Sequence, residues 1–340
     1  MLEQTNQTAS PTGNIRRAVG RFRRRGLTEL ALLRRAVSSP GRMPNVPVTE
    51  GAPTIHLRGD PGPGYREPWP AYPPPGYLGQ LSPAYQARLA ASRAWITRED
   101  CDFYHSATLP SGEEIKGAWD LRGREADYLG QVDFIGRRVL EIGPASGHMS
   151  RYLESVGGNV VSVDAGFDRS IELLPRPGSN PETERMEMML HIGKEQNAWW
   201  YLARKFGSKV SMVYGDVYAL PGDLGTFDVA VLASIMLHLR SPIDVLRQAA
   251  DRTAHQLVVT EPIQDTSLDP DVPLMRFAPF GLENRVVWWF FTPATIVDMV
   301  HSVGFTKTRI HYHSQLHHIA HDLTKPAQEI PMFTVVGERE

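Results

Sequence analysis

Val139-Leu140-Glu141-Ile142-Gly143-Pro144-Ala145-Ser146-Gly147 is the stretch on which the fold turns. An apolar run of strand length carries an acid near its end, and a loop of small residues then opens onto a helical stretch from His148 to Ser155. Glycines let the backbone pass close to a bound nucleoside, and the start of the next helix offers free N–H groups. A second apolar run, Asn159 to Asp164, ends in an acid placed to accept both hydrogen bonds of a ribose diol. Loop and acid are expected side by side at the carboxyl ends of adjacent strands, and a side chain at Gly147 is expected to enter the ligand's space.

Working outward, short β-branched runs alternate with amphipathic stretches, as in a parallel sheet covered by helices. Further strands are predicted over Lys209–Tyr214, Phe227–Ala233 and Gln256–Glu261. Pro293 can start a helix that Gly304 ends, and strands near Thr306–Tyr312 and Phe333–Gly337 bring the sheet to seven. The insertion Glu182–Phe206 carries Met186, Met189, Leu190, Trp199, Trp200 and Leu202 as a helical apolar face, read as core packing before a substrate lid.

The remainder divides into an extension, residues 1–83, and a lead-in segment, 84–136, ahead of the α/β domain, 137–340. The extension begins with a basic amphipathic stretch, Ile15–Val37, and continues in a Pro/Gly-crowded connector from about Pro40 to Pro83. With a formal net charge of -2 the whole chain exerts no pull on nucleic acid, and one cysteine, Cys101, makes neither an internal disulfide nor a cysteine-built zinc site. No apolar run reaches membrane-spanning length, and the chain's start lacks the apolar core of a secretion signal, so a cytoplasmic location is expected. The oligomeric state is not legible.

The acid and small-residue loop, Asp164, Tyr214-Gly215-Asp216-Val217 and the strand Phe227–Val231 together resemble the class I S-adenosylmethionine-dependent methyltransferases over residues 137 to 340. The resemblance implies a Rossmann-like seven-stranded sheet and S-adenosylmethionine, ordinary or carboxylated, as cofactor. It assigns Glu141, Gly143, Ala145, Ser146 and Gly147 to the methionine part, Asp164 to ribose, and Asp216 with Val217 to adenine; a turn aspartate is the alternative for Asp216. Ala145 replaces the middle glycine of that family's loop. A dinucleotide dehydrogenase would need G-x-G-x-x-G, which Pro144 and Ala145 interrupt.

Ser234–Pro242 is similar to the family's segment bordering the transferred methyl group, which places His238 near the reaction centre. Phe103-Tyr104-His105, Leu109–Gly112, Gly117 and Asp120–Arg122 resemble the lead-in of the group containing the tRNA wobble-uridine carboxymethyl-transferring enzymes. A neutral imidazole is the natural base for a hydroxyl acceptor near neutral pH. His238 is the first candidate and His105 the second, with a hydrogen-bonded structural role as the alternative for His238. Tyr104, Asn284 and Trp288 are the acceptor-contact candidates, against plain packing. The late histidines His311, His313, His317, His318 and His321 read as a polar loop, with no metal assigned. The expected acceptor is a small hydroxyl-bearing molecule such as a sugar or metabolite. A tRNA wobble base and a non-catalytic cofactor-binding module are the alternatives.

Overall fold

A computed structural model of the chain describes residues 79–166, 173–174, 178–278, 286–319 and 322–339. The basic stretch Ile15–Val37, most of the connector, Asn284 and His321 lie outside the described residues. The lead-in holds helix α1 (Pro83–Ser92), strands β1 (Ala107–Thr108), β2 (Glu114–Ile115) and β3 (Trp119–Asp120), and one helical turn, α2 (Glu125–Tyr128). Then follow β4 (Arg138–Ile142), α3 (His148–Ser155), β5 (Asn159–Ala165), α4 (Pro181–Phe206), β6 (Ser211–Gly215) and β7 (Phe227–Ala233). The chain continues through α5 (Pro242–Ala250), β8 (Thr253–Pro262), the hairpin-like pair β9 (Met275–Phe277) and β10 (Trp289–Phe291), α6 (Pro293–Ser302), β11 (Lys307–His317) and β12 (Gln328–Glu338).

The main sheet has the order β3-β11-β12-β8-β7-β4-β5-β6. Strands β4 to β8 are parallel, and β12 runs antiparallel between β8 and β11. This is a Rossmann-like α/β fold. Alternate residues of each central strand feed two cores: Leu140, Ile142 and Leu232 pack against α5 and α6, while Val139, Val229 and Val231 pack against α3, α4 and the lead-in. Both faces are covered, which is why the strands read as unbroken apolar runs.

Among the described residues the main sheet holds eight strands where seven were expected. β3 pairs with the end of β11, Trp119 opposite His317 and Asp120 opposite Leu316. Two residues carry no periodicity, so the strand is invisible without its partner. β11 also runs past Tyr312 to His317, because its ladder with β12 continues without interruption to Gln328. His313 and His317 therefore stand on the strand with His311 and not in a loop, and their polar alternation reflects a half-covered edge region. Among the described residues no group of three or more histidine, cysteine or acidic side chains is arranged to hold a metal, and no helix is long and apolar enough to cross a membrane.

Helix boundaries follow local chemistry. Asn180 caps α4 by accepting from the Glu182 and Thr183 N–H groups, Pro181 takes the first position, and Gly207 ends the helix at φ 64°. The apolar face expected along this helix holds only in its second half. Trp199, Trp200 and Leu202 are buried, whereas Met186 and Leu190 are 46% and 50% exposed.

Candidate functional site

β4 ends at Ile142, whose register partner on β5 is Val163 and on β7 is Leu232. The loop after β4, Asp164 and Ala165 on β5, and Ser234 after β7 therefore share the carboxyl edge of the sheet. Three loop residues take left-handed backbone, Gly143 at φ 76°, Ala145 at 47° and Gly147 at 77°. Such angles are open to glycine and disfavoured for other residues. Two of the three positions meet that demand with glycine, and Ala145 carries the strain.

The two glycines face protein side chains. A Cβ at Gly143 would stand 2.9 Å from the end of Ile235, and one at Gly147 would stand 2.4 Å from Trp199 Cδ1. A side chain at Gly147 would thus meet the indole of α4.

Glu141 and Ser146 are enclosed. Glu141 Oε2 accepts from the Ser150 and Ser162 hydroxyls at 2.5 Å each, and Trp199 Nε1 donates to Ser150 Oγ at 3.1 Å. Burial nonetheless raises the Glu141 carboxyl above the usual range. Ser146 Oγ accepts from the His105 backbone N–H at 2.9 Å and lies 3.2 Å from His105 Nδ1. Burial, with His148 and Arg151 nearby, holds the His105 ring well below the usual imidazole range. His105 so ties the lead-in to the loop. Beside it, Tyr104 Oη accepts from Trp119 Nε1 at 3.0 Å. Burial raises the Tyr104 hydroxyl, and the charges of Glu195 and Glu261 push it further.

Asp164 is partly exposed. Its Oδ1 accepts from the Ala165 N–H at 2.8 Å and its Oδ2 from Gln196 Nε2 at 3.2 Å. Desolvation raises its carboxyl to about 6, against those two donors. Asp216 follows β6, and its Oδ1 accepts from the Tyr218 N–H at 2.9 Å, the turn arrangement held open for it. Val217, partly buried, packs beside it against the core.

His238 ends a short 3-10 turn, Met236–His238. Its Nδ1 lies 2.8 Å from the Val286 carbonyl oxygen, an acceptor only, so a neutral ring carries its proton there and its lone pair on Nε2. Burial lowers its proton affinity and keeps it neutral. The Trp288 backbone braces the same turn, its amide N–H donating to the Leu237 carbonyl at 2.8 Å. Sequence reasoning passed over three residues here. Glu261, inside an apolar strand, accepts the Met236 N–H at 2.9 Å, and its Oε2 has no hydrogen-bond partner among the described residues. Tyr128 Oη lies 2.9 Å from Ser234 Oγ, and Gln196 holds Asp164. For Glu261 the signal was an acid in an otherwise apolar window; Tyr128 and Gln196 lie in polar stretches that gave none.

Residues 113–310 match the profile of the methyltransferase-domain family, more than half of the chain. The chain belongs to that family. No curated protein matches this methyltransferase-domain chain. Among solved structures it is similar to the N-terminal domain of EvdMO1 with SAH bound, at 17% identity and TM-score 0.41 over 76% of this chain and 96% of that one. It is also similar to the Burkholderia thailandensis 1,6-didemethyltoxoflavin-N1-methyltransferase, at 16% and 0.40 over 65% and 78%. YcgJ from Bacillus subtilis gives 11% and 0.43 over 64% and 97%.

Proposed function

We propose that this methyltransferase-domain protein transfers a methyl group from S-adenosylmethionine to a hydroxyl of a small polar molecule. The observation that carries the reading is the left-handed loop Gly143–Gly147 beside the part-exposed Asp164 carboxylate on the adjacent strand. The residues fit the cofactor: the turned loop 143–147 brings its backbone to the carboxyl edge of the sheet, and Asp164 beside it offers acceptor lone pairs for a ribose diol. Asp216 and Val217 stand at the end of β6, the next strand outward, as the adenine side of the same edge.

The bound cofactor supplies an electrophilic methyl carbon on a sulfonium. What the protein adds is alignment and, for a hydroxyl acceptor, a base. His238 suits that task, because its Nδ1–H is spent on the Val286 carbonyl and its half-buried neutral ring leaves the Nε2 lone pair to take the acceptor's proton. His105 suits a positioning role better than a second base, since its ring and backbone both engage Ser146. Trp288 is the candidate for the acceptor contact, its backbone tied to the His238 turn through the Leu237 carbonyl.

The described fold offers no argument for an RNA acceptor, and the arginine cluster of residues 16–35 lies outside it. Radiolabelled methyl transfer to a panel of hydroxylated small molecules and to bulk tRNA tests the reading. Transfer to a small molecule is expected, with His238→Ala slowing turnover about a hundredfold and leaving cofactor affinity within a few-fold. Transfer to tRNA alone, or to nothing, contradicts it.

A further inference from the structure

Helix α4 is inserted between β5 and β6, and it reaches the carboxyl edge of the sheet through one polar side chain. Gln196 is 6% exposed, in the half of the helix that packs. Its Nε2 donates to Asp164 Oδ2 at 3.2 Å and to the Ala165 carbonyl at 3.0 Å. Two hydrogen bonds from one amide fix both the orientation of the carboxylate and the strand end that carries it. A buried amide in an apolar helix face costs free energy unless it is hydrogen-bonded, and Gln196 spends its donors on the end of β5 that carries Asp164.

We propose that Gln196 is the positioning residue of the cofactor's ribose acid: by its bonds to Asp164 Oδ2 and the Ala165 carbonyl it holds the carboxylate turned to accept a diol. This inference rests on the cofactor reading above. The inserted helix thereby takes part in cofactor binding without touching the cofactor. The other groups around Asp164 work the opposite way. Glu195 on α4 and Glu141 on β4 both raise its proton affinity, and Tyr214 on β6 faces it across the register. Among the described residues the Ala165 N–H and Gln196 oppose burial and these acids, and the carboxyl stands at about 6. A protonated Asp164 would lose the charge that strengthens its bonds to ribose hydroxyls. Without Gln196, then, binding weakens at neutral pH and returns as the solution becomes more alkaline.

The test titrates S-adenosylhomocysteine calorimetrically into the full chain at pH 5.5, 7 and 8.5, for wild type, Gln196→Met and Asp164→Asn. Wild type should bind at pH 7 and 8.5 and weaken at 5.5. Gln196→Met should bind at least about fivefold more weakly at pH 7 and recover to within about twofold of wild type at pH 8.5. If Gln196→Met does not fold, Gln196→Ala is read by the same criteria. Equal affinity at every pH overturns the proposal. So does a loss of the same size at every pH, which marks a structural role alone. Asp164→Asn separates the two readings: if it binds as wild type does, the cofactor assignment of Asp164 fails, and if it binds weakly while the Gln196 variants bind normally, only the role of Gln196 fails.

Discussion

Trp199 stands against Gly147, its Cδ1 2.4 Å from where a Cβ at position 147 would sit. The glycine that begins α3 therefore answers to the inserted helix as well as to its own backbone angle of 77°. Gly147→Ala should displace the indole, break the Trp199–Ser150 bond and destabilise the fold. Left-handed strain and overpacking each cost about 1–2 kcal/mol. Chemical denaturation should show a loss of at least about 2 kcal/mol. An unchanged midpoint would contradict the packing.

Ala145 predicts the reverse. It holds φ at 47°, where a methyl side chain is strained by roughly 1–2 kcal/mol, while glycine costs about 0.5–1 kcal/mol more in unfolded-state freedom. Ala145→Gly should thus stabilise the protein by up to about 1 kcal/mol and leave S-adenosylhomocysteine affinity within a few-fold. Denaturation together with binding would check it, and a clear loss of stability would refute it.

His191 supplies a pH signature. Its Nδ1 lies 3.1 Å from Asp102 Oδ2 and its Nε2 3.3 Å from Glu195 Oε1, clasping α4 to the lead-in, and these acids raise the ring to about 10. The folded value lies above the unfolded one, so the stabilisation is full below about pH 6.5 and is lost as pH rises through about 10. The ring is 37% exposed, and solvent screening keeps the effect modest. Thermal melts of wild type and His191→Leu should differ at pH 6 and converge by about pH 10.5. A gap constant with pH would show that the pairing contributes nothing.

What could be read from the sequence was whatever repeats along the chain. The parallel strands β4 to β8 are buried on both faces, so Val229 to Leu232 and Leu257 to Val259 announce themselves as apolar runs. The loop and Asp164 were legible because glycine and a terminal acid have few other uses at those points. Longer-range pairings were hidden: β3 exists only because β11 lies beside it, and the second half of β11, His313 to His317, is too polar to read as a strand without β12. Gln196 and Glu261 were missed for a related reason: the acid in the apolar run before Pro262 has meaning only once the Met236 N–H is in view, and Gln196, inside the polar run Lys194–Asn197, is unmarked until Asp164 Oδ2 is seen beside it.

The central claim is that Asp164 and the loop from Gly143 to Gly147 hold an S-adenosyl cofactor. Asp164→Ala removes the acceptor for two ribose hydroxyls, each bond to a charged group being worth about 1.5 kcal/mol or more. Isothermal titration of S-adenosylhomocysteine at pH 7.5 measures this directly. The expected result is one site on the wild-type chain, weakened at least tenfold in a folded Asp164→Ala variant; no binding to the wild type, or equal affinity in the two proteins, would contradict the account.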